Sequence, residues 1–482
     1  MDTLTRRQLL ALTAAAGTTA ALAACATPAA PPAPGWTPGT TTMPFPAGYT
    51  WGAATSAFQV EGSTTVDGRG VSVWDTFCGR GGRVRGGATG DPGADHYVRY
   101  EEDLDLMATL GLGAYRFSVA WTRIQPTGVG TPNQKGLDFY RRLVDGLLER
   151  DIKPGITLFH WDLPQSLQDV GGWTARDTAY RFADYASIMF DSLGDSGADW
   201  FTINEPKTHA YVGHWYGGHA PGISDPDAAA AAVHHQLLGH GLAVEQFRAS
   251  GAPGRIGIAL NLAPVYPSSE KFADSARIID GTENRLFLDP VLLGSYPDDG
   301  IGTANGMLPA DREAFDALVL DGDLATISAT CDLLAIQYYG IFGAGFDGSQ
   351  INLYPTSNAP WQQIHAEGLY DLLTRLVADY PAIPIVITEN GMPDETSELT
   401  VDDPYRVDYL RDHFVQASRA ISEGVPLEAH YVWSMLDNFE WAEGYEQRWG
   451  IVAVDFETQE RTPKKSFDFY KSVIAANAVP TS

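Results

Sequence analysis

The stretch Trp200-Phe201-Thr202-Ile203-Asn204-Glu205-Pro206 organises this chain. Its aromatic and β-branched residues favour a buried strand, and the proline then removes a backbone donor and ends that strand. We therefore predict a carboxylate at the carboxyl end of a buried strand. The stretch Ile383-Pro384-Ile385-Val386-Ile387-Thr388-Glu389-Asn390-Gly391 repeats this pattern. A parallel barrel brings the carboxyl ends of its strands to one face, so it would place both glutamates around one mouth.

Short apolar runs alternate with longer amphipathic segments along the rest of the chain. We predict strands near 50–57, 114–121, 155–159, 199–203, 255–261, 332–338, 383–388 and 429–434. The predicted helices are 96–110, 139–148, 175–195, 227–249, 281–289, 310–318, 367–379, 404–423 and 464–476. Apolar residues at helical spacing, such as Tyr97, Tyr100 and Leu104, support the helices. Eight strands with helical crossovers indicate one (β/α)8 TIM barrel with extended loops after its strands, in the α/β class.

Composition narrows the function without deciding it. The chain has 482 residues, a net charge of −28 and 44% hydrophobic residues, which suits one large barrel with inserted loops. The acidic charge and the lack of a basic patch argue against a nucleic-acid partner and against an anionic substrate. The 12 tryptophans and 21 tyrosines fit either a sugar-binding cleft or an aromatic-rich core. Three cysteines are too few for a disulfide framework.

The amino terminus is predicted to direct export. Thr5-Arg6-Arg7-Gln8-Leu9-Leu10 resembles a twin-arginine signal, and the apolar segment that follows is too short to span a membrane comfortably. Leu22-Ala23-Ala24-Cys25 resembles the lipobox of bacterial lipoproteins; a cleaved signal with an incidental cysteine is the alternative. We predict a signal peptide over 1–24, a lipidated Cys25 opening a Pro/Ala/Thr-rich tether over 25–42, and a folded domain over 43–482. The protein would then be extracytoplasmic, and this lipid anchor would be its only contact with the membrane.

Several long strings of sequence carry a resemblance to a known family. They are FQVEG at 58–62, RFSVAW at 116–121, FHWDLP at 159–164, TINEP at 202–206, ITENG at 387–391 and WSMLDNFEWAEGY at 433–445. Through them the chain resembles glycoside hydrolase family 1, the β-glucosidase family, from about residue 43 to 476. The resemblance implies a retaining β-glycosidase that acts on a neutral β-glycoside or oligosaccharide. Its terminal sugar would be glucosyl, with galactosyl and fucosyl left open. We expect no cofactor and no metal.

The two glutamates suit this chemistry on physical grounds as well. Hydrolysis with retention requires two carboxyl groups about 5–5.5 Å apart, one an ionised nucleophile and one a protonated acid. We assign Glu389 as the nucleophile and Glu205 as the acid/base, whereas the alternative is that both are helix caps or ion-pair partners. The resemblance supplies Arg116 and Tyr339 as donors that keep Glu389 ionised, and repulsion from Glu389 is expected to raise the pKa of Glu205. Asn204 is placed to bond the sugar 2-hydroxyl.

The resemblance also implies which residues hold the terminal sugar. Hydroxyl groups are expected to bond Gln59, His160, Asn204 and a Glu440 carboxylate, with Trp161 and Trp441 as further donors and Trp433 as the stacking floor. Trp361 is expected on the aglycone side, in a run from 361 to 368 that has one residue more than the family pattern.

Two further sugar contacts depart from the family pattern. Gln337 stands where asparagine is usual, and its extra methylene predicts a weakened hydrogen bond. Trp449 stands where phenylalanine is common, which predicts a bulkier wall near the sugar 6-position.

Competing functions differ from this one at identifiable residues. A phospho-β-glycosidase would need a serine and a downstream lysine where this chain has Glu440 and the segment 446–448. A transglycosylase would use the same intermediate with an alcohol in place of water, so the sequence leaves it open. A non-catalytic sugar-binding lipoprotein is the alternative from another class, and two intact carboxylates argue against it.

Overall fold

The structure is a computed structural model that describes residues 42–302 and 308–481. Its strands, in chain order, are β1 (Thr42–Pro44), β2 (Thr50–Ala54), β3 (Ala114–Ser118), β4 (Lys153–Phe159), β5 (Asp199–Asn204), β6 (Arg255–Asn261), β7 (Val265–Pro267), β8 (Leu334–Gln337), β9 (Phe342–Ala344), β10 (Gln350–Ile351), β11 (Ile385–Asn390), β12 (Leu427–Trp433), β13 (Val452–Val454), β14 (Arg461–Pro463) and β15 (Ala478–Pro480). The predicted signal peptide, Cys25 and the tether up to residue 41 lie outside the described residues.

Helices follow most of the barrel strands. The α-helices are Ala57–Val60, Val73–Cys78, His96–Leu110, Trp121–Ile124, Gln134–Leu148, Gln165–Gln168, Asp177–Leu193, Pro206–Ala210, Pro226–Ser250, Ala273–Asp280, Leu286–Leu292, Arg312–Leu318, Asp323–Ile327, Glu367–Asp379, Pro404–Ser422 and Lys465–Ala476. Short 3₁₀ turns are Arg85–Gly87, Gly172–Thr174, Gly194–Ser196, Glu270–Phe272, Phe346–Gly348 and Trp441–Glu443, and π-helical turns are Tyr211–Trp215 and Gly281–Arg285. Within the described ranges, no helix is both long enough and apolar enough to cross a membrane.

Eight parallel strands close the central barrel in the order β11-β12-β2-β3-β4-β5-β6-β8. This arrangement confirms the predicted (β/α)8 barrel. A small core of mostly short side chains fills the barrel interior around Phe201, Val386 and Tyr431. A much larger core lies between the barrel and its helices, where outward residues of the strands, such as Trp200, meet the helices' apolar faces.

Several predicted strands are longer than the observed ones. β2 ends at Ala54 and β3 at Ser118, and in each case a short buried helix follows within three residues. The apolar run therefore continues past the strand, because the turn of chain that leaves the barrel is itself buried. At the amino ends of the strands, Lys153 and Arg255 both bond Asp199, and these charges lie at the opposite end of the barrel from the carboxyl groups of interest.

Candidate active site

A cavity of about 450 Å³ opens at the carboxyl ends of the barrel strands. Most of the predicted site residues line it, namely His160, Trp161, Asn204, Glu205, Tyr339, Trp361, Glu389, Trp433, Glu440, Trp441 and Trp449. The other three, Gln59, Arg116 and Gln337, contact this set from behind the cavity wall. The fold thus brings all fourteen of these predicted site residues into one region.

Glu389 lies near the end of β11 and accepts three hydrogen bonds. Arg116 Nη1 donates to Oε1 at 2.6 Å, and the Tyr339 hydroxyl donates to Oε2 at 2.7 Å. Gln337 Nε2 adds a third bond, to Oε1 at 2.8 Å. Only 3% of Glu389 is exposed, so these donors replace solvent around the carboxylate. Each of them stabilises the charged form, and Arg116 also supplies a compensating charge.

An irregularity in strand pairing aligns Gln337 with Glu389. Ile336 of β8 lies opposite Ile387 of β11, and the next pair is Gln337 with Glu389, so β11 contains one extra residue. A bulge of this kind re-aims a side chain. The Gln337 amide also reaches Asn204 Oδ1 at 2.6 Å, and the expected weakening of its hydrogen bond stays a prediction. Gln337 does not line the cavity, although it was expected to contact the sugar.

Glu205 follows β5 and has a different set of neighbours. Its buried carboxyl group accepts hydrogen bonds from the side chains of Thr208 and Asn261, both of which are neutral. The positive charges of Lys207 and Arg116 act on Glu205 at longer range. Lys207 is a cation that the sequence analysis did not place near Glu205.

Burial raises the pKa of both Glu205 and Glu389. For Glu389 the positive charge of Arg116 opposes this effect, while the negative charge of Glu205 adds to it. Repulsion from Glu389 was the expected cause of the raised pKa of Glu205, whereas burial is its largest cause. The donors to Glu389 were expected to keep it ionised; they lower its pKa, but burial has the larger effect.

Asn204 links the surroundings of the nucleophile to His160. Its Oδ1 accepts from Arg116 and Gln337, and its Nδ2 lies 3.0 Å from His160 Nε2. Burial, with a contribution from the charge of Arg116, lowers the pKa of His160 well below its usual range. The ring is therefore neutral, and Nε2 can accept a hydrogen bond from the Asn204 amide.

Glu440 lies in the loop after β12 and contacts Gln59. Gln59 Nε2 donates to Glu440 Oε2 at 3.3 Å and to Asn438 Oδ1 at 3.0 Å, while its Oε1 accepts from Ser56 Oγ at 2.6 Å. The Gln59 amide thus has protein partners at both ends and lies behind the cavity wall. Burial raises the pKa of Glu440 to about 8, and the negative charge of Glu389 adds to this effect. These surroundings disfavour the negative charge that the sequence analysis expected on Glu440.

Tryptophan side chains form much of the cavity wall. Trp433 stacks near His160, with ring centroids 5.8 Å apart, and Trp441 packs on Trp161 at 4.7 Å. The Trp161 Nε1 group donates to the Asn204 carbonyl at 2.9 Å, so this donor is not presented to a sugar as the sequence analysis expected. The buried Trp449 Nε1 group has no hydrogen-bond partner among the described residues.

A second tryptophan pair contributes one residue to the rim of the cavity and one to its wall. Trp361 is 57% exposed and stacks on buried Trp449, with centroids 6.0 Å apart and planes 16° apart. Trp449 also packs edge-on against Tyr339 at 5.6 Å. Trp449 is therefore part of the wall beside the nucleophile's tyrosine, whereas Trp361 presents an open ring face to incoming ligands.

Strained backbone occurs at three of these residues. Glu205, Trp161 and Trp441 have φ values of 44°, 77° and 49°, in the left-handed region that non-glycine residues rarely adopt. Each such residue costs on the order of 1–3 kcal/mol, and the surrounding fold must hold it in place. Residues of this kind cluster at functional sites, and here they are the proposed acid and two cavity tryptophans.

Some residues of the cavity were missed from the sequence. Asn261 ends β6 just as Asn204 ends β5, so the strand-end pattern could have identified it. Lys207 and Glu283 also line the cavity and form a buried ion pair, with Glu283 in the long insertion where no sequence pattern marks it. In the described parts of the chain, no group of three or more His, Cys, Asp or Glu side chains is arranged to hold a metal ion.

Comparison with known proteins gives a consistent result. The family model described as Glycosyl hydrolase family 1 matches residues 41–479. Beta-glucosidase A of Acetivibrio thermocellus is 45% identical over 447 residues, which are 90% of this chain and 98% of that protein. The bifunctional beta-D-glucosidase/beta-D-fucosidase of Bifidobacterium breve is 42% identical over 467 residues, covering 90% and 99% of the two chains.

Solved structures agree with the sequence relatives. The beta-glucosidase from Thermotoga maritima in complex with castanospermine superposes with a TM-score of 0.85 at 42% identity. The match covers 90% of this chain and 99% of that one. The complex of the same enzyme with deoxynojirimycin gives a TM-score of 0.84 at 41% identity, with the same coverage.

Proposed function

The chain belongs to glycosyl hydrolase family 1, and we propose that it is a retaining β-glycosidase that removes terminal β-D-glucosyl residues from neutral β-glycosides. The observation that carries the proposal is the pair of buried glutamates in one cavity with unlike partners. Glu389 is held by Arg116 and two further donors, whereas neutral side chains hydrogen-bond Glu205. One carboxyl group is thus equipped to react as an anion and the other to carry a proton.

In the first step, Glu389 attacks the anomeric carbon as the bond to the leaving-group oxygen breaks. Glu205 transfers its proton to that oxygen, and a covalent glycosyl ester forms on Glu389. Arg116 and Gln337 each donate to both Glu389 and Asn204, so they fix the nucleophile relative to the amide. Asn204 is proposed to bond the sugar 2-hydroxyl, a contact that strengthens as positive charge develops on the ring.

In the second step, Glu205 removes a proton from water, which attacks the anomeric carbon and releases Glu389. Formation of the ester removes the negative charge of Glu389, which lowers the pKa of Glu205 and makes it a competent base. Two inversions at the anomeric carbon give net retention. Water entering through the open mouth of the cavity completes the cycle.

The remaining cavity residues are proposed to recognise the terminal sugar. Trp433 supports its apolar face, and His160, Glu440 and Trp441 bond its hydroxyl groups. The relative from Bifidobacterium breve is named as acting on both glucosides and fucosides. We therefore include β-fucosides among the substrates to be tested, together with the β-galactosides that the sequence left open.

The test is a set of initial rates on aryl β-glucoside, β-galactoside and β-fucoside, together with cellobiose. Hydrolysis of the β-glucoside is expected, and proton NMR at early times should show the β-anomer of glucose as the first product. Release of the α-anomer first would contradict retention. Absence of turnover on every substrate would instead support the sugar-binding alternative.

We also propose that the protein is exported and held to the membrane by a lipid on Cys25. The support is the twin-arginine pattern and the small residues before Cys25. Cys25→Ser should move the enzyme from the membrane fraction to the soluble fraction without changing its kinetics. Wild-type protein that is already soluble after export would contradict the anchor.

A further inference from the structure

A buried ion pair forms part of the cavity wall close to Glu205. Lys207 Nζ donates to Glu283 Oε2 at 2.9 Å, and their side chains are only 8% and 5% exposed. Lys207 Nζ also lies 5.4 Å from the centroid of the Phe342 ring. All three residues line the cavity. A charged pair in this position is desolvated and yet faces the ligand.

Two π-helical turns hold the pair in place. The helix that contains Lys207 runs directly into the turn Tyr211–Trp215, and Glu283 lies within the turn Gly281–Arg285. The Tyr211 hydroxyl donates to the Thr282 carbonyl at 2.9 Å and so connects the two turns. The two turns therefore fix the position of the pair, and π-helical turns often occur at functional sites.

The position of the pair relative to Glu205 determines which part of the substrate it meets. A catalytic acid protonates the leaving-group oxygen, so the leaving group lies on the Glu205 side of the cavity. Thr208 and Asn261, the hydrogen-bond partners of Glu205, line the same cavity as Lys207, and the charge of Lys207 acts on Glu205. Glu440, which we assign to the terminal sugar, comes from the separate loop after β12. The pair therefore faces the leaving group.

We propose that Lys207 and Glu283 are specificity-determining residues that select leaving groups with several hydroxyl groups, meaning sugars in preference to alkyl alcohols. This inference rests on the proposed glycosidase function. The Lys207 ammonium has three N–H groups, and the bond to Glu283 is the only hydrogen bond it makes within the described residues. Vicinal hydroxyls can accept from Lys207 and donate to Glu283. An alkyl chain would displace water from both groups and replace none of their hydrogen bonds.

The aromatic rim complements this polar wall. Trp361 and Tyr216 both line the cavity and are 57% and 50% exposed, and Tyr216 stacks on Trp215 with centroids 4.5 Å apart. Exposed rings accept the apolar face of a sugar and an alkyl chain alike. The rim therefore does not discriminate between the two kinds of leaving group, and the ion pair does.

The test compares cellobiose with octyl β-D-glucoside. Both have alcohol leaving groups that require protonation, so a change in proton donation from Glu205 affects both. Lys207→Met should lower kcat/KM for cellobiose about tenfold relative to octyl β-D-glucoside, because a hydrogen bond from a charged group is lost with only one of them. Equal losses on the two substrates would overturn the proposal, because the pair would then act through Glu205 or through folding.

Lys153→Met is the matched control. Lys153 Nζ bonds Asp199 Oδ1 at 2.7 Å at the far end of the barrel, outside this cavity, and its loss should leave the ratio of the two rates unchanged. If Lys207→Met does not fold, Glu283→Gln provides the test. The proposal requires Glu283→Gln to lower kcat/KM for cellobiose relative to octyl β-D-glucoside. A wild type that cleaves octyl β-D-glucoside but not cellobiose overturns the selectivity. A wild type that cleaves no β-glucoside refutes the proposed function instead.

Discussion

Glu205 and Glu389 end two strands with nearly the same local sequence pattern, but the structure gives them opposite surroundings. Glu389 accepts from a guanidinium, an amide and a phenol, whereas neutral Thr208 and Asn261 hydrogen-bond Glu205. Both carboxyl groups are buried, so desolvation does not distinguish them. The difference lies in the donors, which come from neighbouring strands and loops. The chemical role of a strand-end carboxylate is thus set by its spatial neighbours.

The largest expected effect is the loss of Glu389. Glu389→Gly should lower turnover by several orders of magnitude, because no covalent intermediate can form. Azide should restore activity by occupying the vacated space, and it should yield the α-glycosyl azide because it attacks from the face that Glu389 occupied. NMR of the product checks this. Recovery of the β-azide would show that Glu389 is the acid/base and Glu205 the nucleophile.

Removal of Glu205 should give the complementary pattern. Glu205→Ala should slow glycosylation by leaving groups that need a proton about 10²–10⁴-fold, and should leave glycosylation by a dinitrophenyl β-glucoside nearly intact. The alkaline limb of the pH profile should disappear for the poorer leaving groups. Pre-steady-state rates on the two classes provide the measurement. Similar losses on both would show that Glu205 does not act as the acid.

Glu440 extends the comparison to a third buried carboxyl group. Arg448 is held by Asp437 and by backbone carbonyls, and it does not line the cavity, so it offers no partner for a phosphate near Glu440. We expect p-nitrophenyl β-glucoside to be cleaved about a hundredfold more efficiently than its 6-phosphate. The ratio of kcat/KM for the two substrates should increase above about pH 8. The pKa of Glu440 is raised to about 8, so the negative charge that repels the phosphate develops above that pH.

Comparison of kcat/KM for the two substrates between pH 6 and pH 9 tests this prediction. Glu440→Ser should lower the ratio of the two kcat/KM values, mainly because it lowers kcat/KM for the neutral substrate. Comparable values on the wild type would show that Glu440 is not at the polar end of the sugar pocket.

The smallest expected effect tests one donor to Glu389. Tyr339→Phe removes a hydrogen bond that stabilises the ionised form, so the pKa of Glu389 should rise and the acidic limb of kcat/KM should move up by about one pH unit. Tyr338→Phe is the matched control, since the Tyr338 hydroxyl donates to the His365 carbonyl and does not contact Glu389. If the acidic limb of kcat/KM stays at the same pH in Tyr339→Phe, the Tyr339 hydroxyl does not stabilise ionised Glu389.

Local sequence patterns are enough to predict the barrel and the strand-end positions of both glutamates. Strand propensity and the terminating Pro206 depend on adjacent residues, and a parallel barrel necessarily collects the carboxyl ends of its strands at one face. A polar residue at the carboxyl end of a strand is predicted to lie in the site. This pattern identified Asn204, and it applies equally to Asn261 at the end of β6. The predicted Cys25 anchor stays a prediction.

The detailed chemistry of the site depends instead on contacts between distant parts of the chain. The extra residue in β11 pairs Gln337 with Glu389. The indole N–H of Trp161 donates to the backbone carbonyl of Asn204. Lys207 meets Glu283 across 76 positions of chain, through two turns that a single sequence does not reveal. These contacts depend on strand register and loop path, and burial dominates the pKa values. Register and burial are properties of the packed molecule, and no local pattern of residue types encodes them.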